Sequence, residues 1–170
     1  GSNLDFLLRH LGQRMERDED ILFLFLTSHG REDGDLVVEF ADLGLRDLSP
    51  VALRRMLDEA GIRFRVIVVS ACFSGAFVPE LAGPDTLVIT AAAHDRSSFG
   101  CAHENQWTYF GEAFFRDALA GGQGLAAAFE TARAAIERRE RHEGKTPSRP
   151  QFVMGDAVAR QLARWAQSRP

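Results

Sequence analysis

Two short apolar runs, each ending in a small-residue turn with one reactive side chain, constrain the fold more than any other feature of this chain. The first run covers residues 21–26 and leads into Thr27-Ser28-His29-Gly30. The second covers residues 66–69 and leads into Ser70-Ala71-Cys72-Phe73-Ser74-Gly75. Apolar runs without alternation are typical of parallel strands that are buried on both faces. The sequence therefore predicts two parallel strands, one ending near a histidine and the other near a cysteine.

His29 and Cys72 stand just beyond these predicted strand ends. Open parallel sheets place their ligand sites beyond the carboxyl ends of the strands, and neighbouring strands lie about 5 Å apart. If the two predicted strands are neighbours, the two side chains emerge at one rim. The thiolate is the nucleophilic form of cysteine, so a thiol at neutral pH needs a base nearby. This pair predicts a cysteine hydrolase, in which the amides of Gly30 and Cys72 face a developing oxyanion.

Four ordered blocks of the sequence resemble the legumain family of cysteine peptidases, which shares its core fold with caspases. The blocks are residues 27–30, 70–75, 90–101 and 108–112, and the resemblance spans roughly positions 18 to 120. A caspase signature has alanine before the cysteine and a histidine about 50 residues upstream. Here the histidine precedes the cysteine by 43 residues. The resemblance implies an α/β fold, a caspase-like three-layer α/β/α sandwich with a mostly parallel sheet.

The resemblance also implies roles for individual residues. Cys72 would be the nucleophile that forms a thioester, and His29 would be the catalytic base and acid. Gly30 and Cys72 would supply the oxyanion-hole amides. The pocket for the residue that precedes the cleaved bond would be lined by Ser70, Ser97, Ser98 and Glu112. Ser70 stands where legumain itself has a glutamate, so cleavage after asparagine or aspartate is a hypothesis that the pocket does not fully support.

The resemblance further implies two strands before the histidine-bearing strand, and this sequence lacks them. The 20 residues before Ile21 instead predict a helix, because apolar residues recur at helical spacing: Leu4, Leu7, Leu8, Leu11 and Met15. Gly1 and Ser2 read as a cloning remnant. We therefore expect a chain truncated at its N-terminus. Its strand Ile21–Thr27 would have an unpaired apolar edge, through which two copies could self-associate.

Composition limits the classes of function. The chain has 170 residues, 45% of them hydrophobic, which predicts a single domain over residues 1–170. Its net charge of −4 argues against a nucleic-acid partner, because such surfaces are strongly basic. No run approaches the ~20 apolar residues of a membrane span. Lys145 is the only lysine among 20 basic residues, a bias that indicates a GC-rich bacterial genome.

The rest of the chain has an α/β pattern. Strands are predicted at residues 36–40, 86–91 and Gln151–Met154, the first as part of a hairpin near the active-site rim. Helices are predicted from Ser49-Pro50 to Gly61 and over residues 110–119, 125–143 and 157–167. Three parallel strands and one antiparallel edge strand would result.

Three other interpretations stay open. A caspase-like fold can serve as a noncatalytic binding or scaffold domain, and the same dyad can support transpeptidation. A flavodoxin-like domain needs a phosphate-binding glycine loop, which residues 28–32 do not offer. A zinc site is not indicated, because His94, Cys101 and His103 form no recognised ligand pattern, and a structural zinc site normally has four ligands in paired short spacings. We expect neither metal nor organic cofactor, and a peptide or protein substrate as the partner.

Overall fold

The computed structural model describes residues 2–39, 45–101 and 105–168, in which four strands form one sheet. Their order in the sheet is also their order along the chain: β1 (Ile21–Thr27), β2 (Phe64–Ser70), β3 (Thr86–Thr90) and β4 (Gln151–Met154). The first three strands are parallel, and β4 runs antiparallel to β3. The predicted combination of three parallel strands and an antiparallel edge strand is confirmed.

Helices cover both faces of the sheet. One face carries α1 (Ser2–Gly12), α2 (Pro50–Glu59) and α3 (Phe77–Leu81), and the other carries a π-helix (Gly111–Leu119), α4 (Leu125–His142) and α5 (Asp156–Gln167). Alternate side chains of β2 enter the two cores, because successive residues of a strand point to opposite faces. The predicted three-layer α/β/α arrangement is therefore present. In the described ranges no helix is both long and apolar enough to cross a membrane.

Local sequence signals explain where α2 begins and ends. The Ser49 hydroxyl accepts a hydrogen bond from the Ala52 amide at 3.2 Å, and Pro50 occupies the first turn, where its missing N–H costs nothing. Gly61 follows the helix with a φ of +70°, a left-handed conformation that glycine adopts without strain. This helix has the start and stop that the sequence predicts.

The predicted helix over residues 110–119 is present, but it is wider than an α-helix. Just beyond its end, the Ala120 amide still donates to the Phe115 carbonyl, five residues earlier, at 3.0 Å. Phe110 and Phe114 are fully buried in the core, with ring centroids 5.2 Å apart. Such i→i+5 bonding is rare and depends on packing, so the periodicity of the sequence does not reveal it.

The segment after the histidine turn is not the strand predicted for residues 36–40. Leu36 alone pairs, through one bridge to Gly30 and another to Leu48, and residues 37–39 are irregular. Phe40 lies outside the described residues. Loops contact Leu36 on both sides, so no continuous ladder of strand hydrogen bonds forms. The segment still lies beside the histidine turn, which is the position expected for it.

β1 forms one edge of the sheet within the described residues. Phe23 and Phe25 are 48% and 42% exposed, and the Phe25 ring contacts the Phe115 ring with 4.8 Å between centroids. An apolar edge with unpaired backbone groups is a surface on which another strand can add.

Candidate active site

Strand register brings the predicted nucleophile and base to one rim of the sheet. Thr27 of β1 pairs with Ser70 of β2, so His29 and Cys72 each follow their last paired residue by two positions. The Ser28 amide extends the pairing by donating to the Ser70 carbonyl at 3.4 Å. The histidine turn and the cysteine turn therefore adjoin where the two strands end.

Gly30 packs directly against the backbone of Cys72. A Cβ on Gly30 would lie 1.8 Å from the Cys72 carbonyl oxygen and 3.3 Å from the Cys72 nitrogen, so no side chain fits. Neither the Gly30 amide nor the Cys72 amide donates a hydrogen bond to any described residue of the protein. Both predicted oxyanion-hole donors are thus free of internal acceptors, and their backbones are in contact.

The Cys72 thiol is partly buried, and its hydrogen bonds run to Ser98. The sulfur donates to the Ser98 carbonyl at 3.4 Å, accepts from the Ser98 amide at 3.3 Å and lies 3.8 Å from the Ser98 hydroxyl. The His29 side chain is exposed and, within the described ranges, makes no hydrogen bond to this thiol. Catalytic hydrogen bonds of free enzymes are often loose and tighten when substrate binds.

A turn that follows β3 braces the cysteine turn. Phe73 has a φ of +56°, which is uncommon for a residue with a side chain, and its amide donates to the Arg96 carbonyl at 2.7 Å. The Ser74 hydroxyl accepts from the Ala92 amide at 3.1 Å. Nothing in its residue type marks Arg96 for this contact, because the arginine contributes a main-chain oxygen.

Ser70 and Ser97 differ in exposure and in contacts. Ser70 is buried, with its hydroxyl 3.2 Å from the hydroxyl of Thr108. The Thr108 hydroxyl also accepts from the Gly111 amide at the start of the π-helix, at 2.9 Å. Ser97 is exposed. Sequence reasoning included Thr108 in the block of residues 108–112 but missed its contact with Ser70, because that contact depends on the placement of the π-helix.

Glu112, one of the predicted pocket residues, forms ion pairs with two arginines of the protein. Its Oε1 pairs with Arg116 at 2.5 Å and its Oε2 with Arg139 at 2.8 Å. The Arg139 guanidinium in turn stacks 3.6 Å from the centroid of the Tyr109 ring. A substrate side chain could use the Glu112 carboxylate only by competing with both arginines. Of the four predicted pocket positions, Ser98 is the one whose hydrogen bonds reach Cys72.

Cys101 is a second free cysteine, and it is exposed. Loss of hydration around its sulfur, followed by the neighbouring negative charge of ionised Cys72, raises the pKa of the Cys101 thiol, and a hydrogen bond to Ser98 opposes the shift. Within the described residues, no group of three histidine, cysteine or acidic side chains is arranged to hold a metal ion. His103, considered as a ligand on sequence grounds, lies outside those residues.

Comparisons with known proteins agree on the type of domain. The model of a family described as the peptidase C13 family matches residues 12–160. A search of curated proteins found no match. Among solved structures, caspase-1 from Spodoptera frugiperda superimposes with a TM-score of 0.62 at 12% sequence identity, covering 90% of this chain and 67% of that one. At this identity the likeness establishes the fold alone, and it confirms the predicted caspase-like architecture.

Proposed function

The chain belongs to the peptidase C13 (legumain) family, and we propose that it is a cysteine endopeptidase that uses Cys72 and His29 as a catalytic dyad. The observation that carries the proposal is the contact of Gly30 with the backbone of Cys72, which leaves two amides free of internal acceptors beside the thiol. Acyl transfer needs a nucleophile and oxyanion donors in one place. A buried structural cysteine needs neither.

The proposed reaction has two halves. The Cys72 thiolate attacks the peptide carbonyl, and the amides of Gly30 and Cys72 stabilise the negative charge that develops on the carbonyl oxygen. Protonated His29 gives its proton to the leaving amine, and the C–N bond breaks to leave a thioester. Neutral His29 then takes a proton from water, which attacks the thioester; the C–S bond breaks, the carboxylic acid leaves, and the Cys72 thiolate and protonated His29 are restored.

Side-chain preference follows from the groups near the thiol. Ser98 and the Ser70–Thr108 pair offer hydroxyl and main-chain groups, which donate and accept hydrogen bonds without carrying charge. The negative charge of Glu112 is compensated by its ion pairs with Arg116 and Arg139. We propose a preference for a short polar residue before the cleaved bond, with asparagine or aspartate as the first substrates to test.

Two other activities use the same site. Transpeptidation would follow if an amine intercepted the thioester before water did. A noncatalytic scaffold is favoured by one observation, the absence of a hydrogen bond between the His29 side chain and the Cys72 thiol within the described residues.

Peptide cleavage tests the proposal. Short peptides that differ only in the residue before the scissile bond, with asparagine, aspartate, alanine or lysine there, are incubated with the protein, and products are identified by mass. We expect cleavage after asparagine or aspartate that Cys72→Ala abolishes and His29→Ala strongly reduces. A product in which the acyl half of the peptide is joined to added glycine amide would indicate transpeptidation. Equal cleavage by wild type and Cys72→Ala would contradict the proposal, and no cleavage by any form would favour the scaffold.

A further inference from the structure

Glu140 is a buried carboxylate that the proposed reaction does not use. It lies near the end of α4 with 1% of its surface exposed. Its Oε2 accepts the Ser148 amide at 3.0 Å, whereas its Oε1 is buried and has no partner among the described residues. A carboxylate oxygen without a partner in the interior is costly, so its presence calls for an explanation.

A continuous path of main-chain hydrogen bonds runs from Glu140 to the cysteine turn. Ser148, held by Glu140, accepts the Ala93 amide on its carbonyl at 2.8 Å. The Ala93 carbonyl accepts the Arg96 amide at 3.2 Å, and the Arg96 carbonyl accepts the Phe73 amide at 2.7 Å. The bond between Arg96 and Ala93 closes the turn over residues 93–96, and the other three bonds join separate segments of the chain. The last of them ends on the residue that follows Cys72.

Both ends of this path hold backbone in an unfavourable conformation. Phe73 has a φ of +56°, and Arg149, next to Ser148, has a φ of +55°. Residues with side chains adopt this left-handed region only at a cost, and they stay there when surrounding contacts fix them. The Glu140 carboxylate fixes one end of the path, and the turn over residues 93–96 transmits that constraint to the other.

We propose that Glu140 is a positioning residue for Cys72, acting through Ser148 and the 93–96 turn. It does not touch the thiol. Its carboxylate holds the Ser148 amide, so that the 93–96 turn presents the Arg96 carbonyl to Phe73 and keeps the Cys72 backbone against Gly30. The effect on catalysis rests on the proposed peptidase function, but the effect on the Phe73 amide does not.

Substitutions at Glu140 distinguish the effect of side-chain length from the effect of the carboxyl group. Glu140→Gln keeps an acceptor at the same distance from the Ser148 amide, while Glu140→Asp keeps the charge but shortens the side chain by one methylene. Glu140→Ala removes the acceptor altogether. Glu130→Ala is the control, because Glu130 lies on the same helix and is 61% exposed, with only an ion pair to Arg133.

Hydrogen exchange of the Phe73 amide, measured by NMR, is the readout that does not depend on activity. We expect exchange to be faster by about tenfold or more in Glu140→Asp and Glu140→Ala, and close to wild type in Glu140→Gln and Glu130→Ala. If Glu140→Ala fails to fold, Glu140→Asp carries the comparison. Unchanged Phe73 exchange in a folded Glu140→Asp protein would overturn the proposal.

Kinetics complete the test. For a peptide that the wild type cleaves, we expect Glu140→Asp to lower kcat by about tenfold or more with little change in KM. In Glu140→Gln we expect kcat to stay close to the wild-type value. An equal loss of kcat in Glu140→Gln and Glu140→Asp would contradict positioning through the hydrogen bond. If the wild type cleaves nothing while Phe73 exchange still responds as expected, the positioning stands and the peptidase proposal fails.

Discussion

Gly30→Ala places a methyl group where the histidine turn meets the cysteine turn. The added carbon would lie 1.8 Å from the Cys72 carbonyl oxygen. Carbon and carbonyl oxygen ordinarily approach no closer than about 3.3 Å, so the two turns must separate by about 1.5 Å. A misplacement of about 1 Å at a reacting group can cost about 100-fold in rate. We therefore expect kcat/KM to fall by about 100-fold or more.

The same overlap should also destabilise the fold. Overpacking a tight contact costs about 1–3 kcal/mol, which urea unfolding can resolve. Gly83→Ala is the matched control, because a Cβ at Gly83 would have nothing within 4 Å and no positive φ to maintain. The assays are peptide hydrolysis and urea unfolding of both variants. Wild-type activity and stability in Gly30→Ala would refute the inferred contact between the two turns.

Two further predictions concern titration. Asp47 accepts a hydrogen bond from the Val38 amide and pairs with Arg31, and these contacts hold the pKa of its carboxyl below the usual range. The stabilisation that the ionised carboxyl provides is therefore present above about pH 4 and is lost as pH falls through the lowered pKa. In urea unfolding, the loss of stability caused by Asp47→Ala should be smaller at pH 3 than at pH 7, and an equal loss at both pH values would contradict this. Loss of hydration around the sulfur raises the pKa of Cys101 although the residue is exposed. In Cys72→Ala its alkylation by iodoacetamide, followed by mass, should therefore begin at higher pH than that of free cysteine; a midpoint at or below that of free cysteine would contradict the raised pKa.

The sheet could be predicted from sequence because its signals are local. Continuous apolar residues in β1 and β2 predict strands, and the turns that end them indicate where each strand stops. The predicted burial on both faces holds along β2, whereas for β1 it is wrong, because alternate residues from Phe23 to Thr27 are exposed. Because parallel neighbours end at one rim, the same reasoning brings His29 and Cys72 to adjoining turns. The patterns predict parallel strands, whereas the order of the strands in the sheet is seen only in the structure.

The rest of the site depends on contacts between distant segments. Glu112 has the right charge for a pocket wall, but Arg139, 27 residues away on another helix, takes one of its oxygens. The path from Glu140 to Phe73 uses main-chain atoms, which leave no mark on residue type. The strand predicted at residues 36–40 fails because the bridges of Leu36 run to two different loops. The periodicity of apolar residues indicates which residues are buried, but it does not indicate which distant residues they contact.

The central claim is that Cys72 and His29 act together as nucleophile and base. The most direct test is the intact mass of the protein after incubation with a peptide electrophile that carries asparagine at its reactive end. Wild type should gain one adduct, mapped to Cys72, whereas Cys72→Ala should gain none and His29→Ala should react far more slowly. Equal labelling with and without His29, or an adduct on Cys101, would contradict the dyad.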